Sequence, residues 1–334
     1  MAASATGQPL APVDYGLKSF VIDDGELGKI SFYVDTTNLR EKAPILLSLN
    51  GSGGVPLSLL VRNEHSGKFF NTFDTHLLLK TAADYHYVVL DKPGTPFADS
   101  VIITDDRLAE AVHNYKFSES YHHKLSLDWR VEATQKVLDF LIENGYSDQT
   151  KVVAWGFSEG GQVVPKLAAK DDRVTHVVSV VGAGLNQFYD DMTRYRVGAA
   201  AGSLTHQQAQ DSINEKLAVI QDIYAHPYAT DRFYAGHTYL RWTSFTTVDP
   251  LEYLKELTIP IYMLVGSADE NSPIYGLDYV PLEFIRLHKT NLTYEVCVGC
   301  DHFQNREVMV GGEAVTESLG EAYTVKILNW IEEN

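Results

Sequence analysis

The chain has 334 residues, 45% of them hydrophobic and 21% charged, which is enough to bury a large core in one domain or in one domain with an insertion. Its formal net charge of −17 argues against nucleic-acid binding, because phosphate recognition needs clustered Lys and Arg. No apolar run approaches the length needed to cross a bilayer. The composition therefore predicts a soluble protein without a membrane span.

The first residues, "MAASATGQPLAPVDYG", lack the basic and apolar regions of a signal peptide. We expect residues 1–16 to form a flexible leader. The protein is then expected in the cytoplasm, or in the periplasm or outside the cell if a signal peptide has been removed.

Strand and helix patterns alternate along most of the chain. Residues 17–35 predict an antiparallel hairpin, and residues 126–145 and 317–334 have helical spacing, the former ending at Gly145. Six short apolar, β-branched runs predict strands buried on both faces, at residues 45–50, 87–91, 151–155, 174–181, 259–265 and 292–298. This alternation predicts an α/β fold with a mostly parallel central sheet flanked by helices.

One interval breaks the alternation. Residues 185–250 show helical patterns and many aromatic residues but no strand pattern, and they are too apolar for a loose loop. We expect a helical cap subdomain over the carboxyl ends of the strands, where open α/β sheets bind ligands. Residues 17–184 and 251–334 would then form the core.

A serine lies where a predicted strand becomes a helix. In "KVVAWGFSEGGQVVPKLAAK", residues 151–170, Ser158 is the centre of a G-x-S-x-G pattern. The pattern alone is weak, but a strand before it and a helix after it are the context of a nucleophile elbow. Glycines two residues before and after the serine avoid a side-chain clash in the strained turn. The alternative is a tight turn with an inert serine.

A serine nucleophile needs a base and an orienting acid, which follow it in the order acid, histidine on this kind of sheet. Asp269 follows the strand "IPIYMLV" and is the first candidate acid, with helix capping as its alternative role. Glu270 is the second candidate acid. His302 follows the last predicted strand, and we expect it to be the base.

An oxyanion intermediate needs two hydrogen-bond donors. The backbone N–H of Glu159, next to the nucleophile, is the first candidate. The second is the N–H of Ser52 in "NGSGG", residues 50–54. A phosphate-binding loop is the alternative for this segment, but the G-K-[ST] ending is missing.

The two cysteines, Cys297 and Cys300, stand in "CVGCDHF" directly before His302. A disulfide and a pair of buried, reduced thiols are both compatible with this spacing. Half a zinc site is the weakest interpretation, because no second ligand pair completes four ligands. We expect no metal and no cofactor.

These motifs resemble those of α/β-hydrolases over residues 17–334, in particular serine esterases of the dienelactone-hydrolase-like and serine-aminopeptidase-like group. That group carries G-S-G, D-K-R-G and G-H-S-E-G-G, and the counterparts here are "NGSGG", "LDKPG" at 90–94 and "GFSEGG". Phe157 and Pro93 depart from the pattern, and residues 55–86 are unusually long and polar. The resemblance implies the triad Ser158, Asp269 and His302, with oxyanion donors at Ser52 and Glu159.

We therefore predict a serine hydrolase that cleaves small carboxylic esters through an acyl-enzyme, without a cofactor and in an unassigned oligomeric state. The first alternative is an aminopeptidase or amidase on the same triad, which needs a carboxylate such as Glu159, Asp190 or Asp191 for a free amine. The second is a non-catalytic binding protein on this fold. Turnover of a chromogenic ester distinguishes an enzyme from a non-catalytic binding protein.

Overall fold

The structure is a computed structural model that describes residues 8–37, 39, 41–63, 67–81, 84–103, 115–182 and 184–334. Its strands are β1 (Leu17–Asp24), β2 (Gly28–Asp35), β3 (Ala43–Leu49), β4 (Ser58–Arg62), β5 (Gly67–Asn71), β6 (His86–Leu90), β7 (Ala98–Ile102), β8 (Ser147–Phe157), β9 (His176–Val180), β10 (Phe233–Tyr234), β11 (His237–Thr238), β12 (Ile261–Gly266), β13 (Leu292–Cys297), β14 (Asn305–Val310) and β15 (Glu313–Ser318).

The described α-helices are α1 (Thr75–Thr81), α2 (Glu119–Lys124), α3 (Leu127–Glu143), α4 (Glu159–Lys170), α5 (Gln187–Ala200), α6 (His206–Ala225), α7 (Tyr239–Thr246), α8 (Pro250–Glu256), α9 (Ile274–Leu277), α10 (Tyr279–Arg286) and α11 (Gly320–Glu333). A short 3-10 helix spans Pro12–Tyr15. None of the helices in these ranges is long and apolar enough to cross a membrane.

The central sheet has eight strands in the order β1-β2-β6-β3-β8-β9-β12-β13. β1 and β2 form the predicted antiparallel hairpin, and β2 pairs antiparallel with β6. All following pairs are parallel. The predicted mostly parallel sheet is confirmed, and its parallel strands direct their carboxyl ends to one edge.

Helices cover both faces of the sheet, as two large clusters of buried apolar side chains show. The pattern of α3 explains its boundaries. Ser126 accepts a hydrogen bond from the Trp129 N–H at 3.0 Å and so caps the first turn. Gly145, with φ of 74°, takes the left-handed conformation that ends a helix.

Several strands are not among the predicted ones. β4 and β5, between β3 and β6, form a separate three-stranded sheet with β7, which follows β6. β14 and β15 form an exposed hairpin between His302 and α11. These strands lack the continuous apolar runs of the central sheet because most of them are only partly buried.

The interval predicted as a helical cap contains α5, α6 and α7, together with the two-residue strands β10 and β11. It has a small apolar cluster of its own, formed by Phe188, Ile223, Tyr239 and Trp242. The boundaries of a separate cap subdomain at residues 185–250 stay a prediction.

The predicted flexible leader, residues 1–16, differs from the structure in its last residues; residues 1–7 lie outside the described part. The Tyr15 hydroxyl is 2.7 Å from Ser58 Oγ and donates to Asn71 Oδ1 at 2.8 Å. Its ring packs edge-on against Phe73 and Phe97. These contacts attach the end of the leader to the fold.

Candidate active site

Ser158 occupies the junction between β8 and α4, with φ of 54° and ψ of −117°. This backbone conformation is costly for a residue other than glycine and is typical of functional turns. Close packing around the junction explains the two flanking glycines. A Cβ on Gly156 would lie 2.2 Å from the Gly160 carbonyl oxygen, and one on Gly160 would lie 1.9 Å from that of Leu49.

The structure brings the three predicted triad residues together from three different strand ends. His302 Nε2 is 3.0 Å from Ser158 Oγ, and His302 Nδ1 is 2.7 Å from Asp269 Oδ2. A carboxylate can only accept, so Nδ1–H donates to Asp269. Nε2 then accepts a hydrogen bond from the Ser158 hydroxyl.

Asp269 is fixed by its own loop. Its second oxygen, Oδ1, accepts from the N–H groups of Asn271 at 2.7 Å and Ser272 at 2.9 Å. The neighbouring Glu270 is exposed, and its backbone carbonyl accepts a hydrogen bond from Arg194 at 2.8 Å. The geometry therefore favours Asp269 over Glu270 as the partner of His302.

The two predicted oxyanion donors both lie close to Ser158. Ser52 lines the same cavity as Ser158, and Glu159 is the first residue of α4. Within the described residues, neither backbone N–H donates to a protein acceptor. Both N–H groups are thus available to a ligand.

The Glu159 side chain belongs to a buried charge cluster that could not be predicted from the sequence. Arg130 Nη1 donates to Glu159 Oε1 at 2.9 Å, and Arg241 donates to Oε2 from Nη2 at 2.6 Å and from Nε at 3.1 Å. Burial alone would raise the pKa of Glu159, but Arg241, Lys92 and Arg130 together lower it to about 2. Glu159 is therefore a carboxylate at neutral pH, committed to Arg130 and Arg241.

The cluster connects distant parts of the chain. Arg130 also donates from Nη2 to the Asn50 carbonyl at 2.9 Å and to Asn50 Oδ1 at 3.1 Å. Arg241 belongs to α7 and also donates to Gln187 Oε1 at 2.8 Å. The β8–α4 junction, the Ser52 loop and the interval predicted as a cap thus share one ionic network.

Cys297 and Cys300 are paired as a disulfide with Cα atoms 5.4 Å apart. The turn between them contacts the loop that carries Asp269. The Ser267 N–H donates to the Cys297 carbonyl at 3.1 Å, and the Ala268 N–H donates to the Cys300 carbonyl at 2.9 Å. The cysteine turn therefore joins the Asp269 loop to the His302 loop.

A cavity of about 590 Å³ opens in front of Ser158 and His302. Aromatic side chains supply much of its wall: Phe70, Phe73, Phe157, Trp242, Phe303 and Tyr323. Such a cavity can hold an apolar group of a small substrate next to the nucleophile. The part of the chain that the structure describes contains no group of three or more His, Cys, Asp or Glu side chains placed to hold a metal ion.

The model of the prolyl oligopeptidase family matches residues 114–219, about a third of the chain. No curated protein sequence matches the chain.

Solved structures share the fold at low identity. An acylaminoacyl peptidase from Pyrococcus horikoshii is 14% identical with a TM-score of 0.56, and the match covers 95% of this chain and 41% of that one. A puromycin-hydrolyzing peptidase from Mycobacterium tuberculosis is 14% identical with a TM-score of 0.54, covering 95% of this chain and 39% of that one. Est1E from Butyrivibrio proteoclasticus is 14% identical with a TM-score of 0.52, and the match covers 94% of this chain and 98% of that one.

The chain therefore spans about two fifths of the length of the two peptidases and nearly all of Est1E. The predicted α/β-hydrolase fold is confirmed, and the comparisons support a serine hydrolase of the α/β-hydrolase superfamily.

Proposed function

We propose that the protein hydrolyses small carboxylic esters through an acyl-enzyme intermediate formed on Ser158. The observation that carries this proposal is the hydrogen-bonded chain from Ser158 Oγ through the His302 imidazole to the Asp269 carboxylate, with contacts of 3.0 Å and 2.7 Å. Nucleophile, base and orienting acid are thus in reach of one another before a substrate arrives.

In the acylation step, Ser158 Oγ bonds to the acyl carbon while its proton moves to His302 Nε2. Asp269 holds the imidazole with Nε2 toward the serine and stabilises the imidazolium. The backbone N–H groups of Ser52 and Glu159 donate to the oxyanion. His302 then protonates the leaving alcohol as the carbon–oxygen bond breaks.

Deacylation repeats these roles with water as the nucleophile. His302 takes a proton from water, the hydroxide attacks the acyl carbon, and the proton returns to Ser158 Oγ as the acid leaves. No step needs a metal ion or an organic cofactor. The aromatic wall of the cavity supports an apolar acyl or alcohol group.

Two observations support an ester rather than a peptide as substrate. The esterase Est1E is matched over 98% of its own chain. Glu159, one candidate for binding a free amine, is buried between Arg130 and Arg241, and Asp191 is paired with Arg194 and Lys216. These two carboxylates are therefore already occupied.

Amide hydrolysis with an amine site is the second candidate function, and Asp190 favours it. Asp190 lines a side cavity of about 120 Å³ that shares Gln162 and Gln187 with the main cavity. Burial raises the pKa of Asp190 to about 7, so proximity of an ammonium group would return the carboxyl to its ionised form.

A substrate panel separates the two functions. We expect p-nitrophenyl acetate, butyrate and phenylacetate to give higher kcat/KM than the p-nitroanilides of alanine, leucine and phenylalanine. The Asp190→Asn variant serves as the control, and it should leave ester hydrolysis unchanged. Higher kcat/KM for the anilides, with a loss in Asp190→Asn confined to them, would instead establish the amidase.

A further inference from the structure

Lys92 is the buried lysine of "LDKPG", and the catalytic steps proposed above assign it no role. Its side chain is 5% exposed and has no carboxylate within salt-bridge distance in the described residues. Instead, Nζ donates to two backbone carbonyls of the Ser52 loop, those of Gly51 and, at 2.6 Å, Gly53. A buried lysine that binds only carbonyls needs an explanation, because burying a charge is costly.

The geometry of the peptide unit supplies an explanation for the buried lysine. In a trans peptide the carbonyl of one residue and the N–H of the next point in opposite directions. The Gly51 carbonyl is directed at Lys92 in the interior, so the Ser52 N–H is directed away from Lys92. Gly51 lies beside Ser158, since a Cβ added to it would be 3.3 Å from Ser158 Cβ. Ser52 itself lines the cavity.

We propose that Lys92 is a positioning residue that holds the Gly51 and Gly53 carbonyls and thereby aims the Ser52 N–H at the oxyanion formed on Ser158. This proposal rests on the proposed function, because it concerns the oxyanion of that same reaction. An N–H fixed in advance stabilises a developing charge better than one that must reorient during the reaction.

The surrounding charges agree with this role. Arg130 and Arg241 are two cations that bind the single carboxylate of Glu159, so the cluster has a surplus of positive charge even when Lys92 is neutral. Burial lowers the pKa of Lys92 to about 7, and Glu159 opposes that shift. A neutral amine still has two N–H groups, one for each carbonyl, so the loop contact is kept in both protonation states.

The test compares Lys92→Met with a matched control, Lys289→Met. Lys289 also donates from Nζ to two backbone carbonyls, those of Lys255 at 2.9 Å and Leu257 at 2.6 Å, but it lies outside the site. Both variants lose the same kind of contact. We expect Lys92→Met to lower kcat for p-nitrophenyl phenylacetate about a hundredfold with little change in KM, and Lys289→Met to keep wild-type kcat.

A second readout separates aiming of the donor from general stability. Benzyl trifluoromethyl ketone forms a hemiketal in which Ser158 Oγ is bonded to the carbonyl carbon, the carbonyl oxygen becomes an oxyanion and the serine proton goes to His302. Its Ki should rise in Lys92→Met by the same factor by which kcat/KM falls. Titration with a fluorophosphonate counts folded sites, so all rates are given per active site. If Lys92→Met does not fold, Lys92→Gln replaces it.

Wild-type kcat per titrated site and unchanged Ki in the Lys92 variant would overturn the positioning role. Loss of titratable sites alone, with normal kcat in those remaining, would do the same and make Lys92 purely structural. Failure of the proposed function gives a different result, because the wild-type protein would then neither turn over the ester nor react with the fluorophosphonate at Ser158.

Discussion

Asp269 makes every contact expected of the residue that orients His302. One carboxylate oxygen accepts from the imidazole, and the other accepts from two backbone N–H groups of the same loop. An amide side chain at this position would keep the shape of the site but would present a donor to Nδ1 or accept with a weaker, neutral oxygen. The ionised form is thus needed to hold the productive tautomer.

We predict that Asp269→Asn lowers kcat by about four orders of magnitude while the protein stays folded, a loss of the size seen when a triad acid becomes an amide. Glu270→Gln is the matched control, because the Glu270 side chain is exposed. Steady-state kinetics on the best ester gives both values. A severe loss in Glu270→Gln and a small one in Asp269→Asn would assign the acid to the neighbouring residue.

At the scale of residues, the sequence could locate side chains that follow a strand in a fixed order. Ser158, Asp269 and His302 each come directly after a predicted strand, and parallel strands bring such positions to one edge. Arg241 could not be located in this way, since it stands 82 residues from Glu159 within the interval without predicted strands. Only the packing of α7 brings it to Glu159.

At the scale of elements, Glu159 joins α3, α4 and α7 through its two arginines. We predict that Glu159→Gln lowers the free energy of unfolding by about 3–5 kcal/mol, because it leaves two guanidinium groups buried without their counter-ion. Urea unfolding followed by circular dichroism measures the change. Glu317→Gln removes the exposed ion pair with Arg306 and should lower the free energy of unfolding by less than about 1 kcal/mol.

The stabilisation that Glu159 gives through Arg130 and Arg241 has a defined pH dependence. The pKa of Glu159 is lowered from 4.5 to about 2, so its stabilising contribution is complete above pH 4.5 and is lost as the pH falls toward 2. The difference in unfolding free energy between wild type and Glu159→Gln should therefore narrow below pH 4.5. A difference that is absent at pH 7 would contradict the buried ionic network.

The disulfide acts on the turn that joins the Asp269 and His302 loops. A bridge between Cys297 and Cys300 closes a very short loop and removes little unfolded-state entropy. We predict that reduction of the disulfide lowers kcat clearly, because the His302 loop loses a constraint. The accompanying fall in Tm should be small. Thiol alkylation and intact-mass measurement establish the redox state, and two alkylated thiols before reduction would rule out the bridge.

Elements differ in how well the sequence predicts them. Runs buried on both faces, such as the one that becomes β12, are continuous in apolar character, and the sequence predicts their bounds to within a few residues. β4 and β7 lie outside the predicted strands, although they pair with each other in a second sheet. The hairpin of β14 and β15 is exposed, and it therefore lacks the apolar alternation that indicates a half-buried strand.

At the scale of the whole molecule, the proposed nucleophile, base and acid lie at one edge of the sheet. A buried ionic cluster connects the Ser52 loop to the helices of residues 187–246. The catalytic assignment depends on Ser158 more than on any other residue. A triad acts as a unit, so removal of its nucleophile should eliminate nearly all of the rate enhancement that the triad provides.

The most direct test is to react wild type and Ser158→Ala with a fluorophosphonate and to follow both the adduct mass and ester turnover. The wild-type protein should gain a single adduct that maps to Ser158 by peptide mass spectrometry, with a parallel loss of p-nitrophenyl ester hydrolysis. Ser158→Ala should stay folded, gain no adduct and turn over the ester about four to six orders of magnitude more slowly. Unchanged turnover by pure Ser158→Ala, or an inactivating adduct on another residue, would contradict the account.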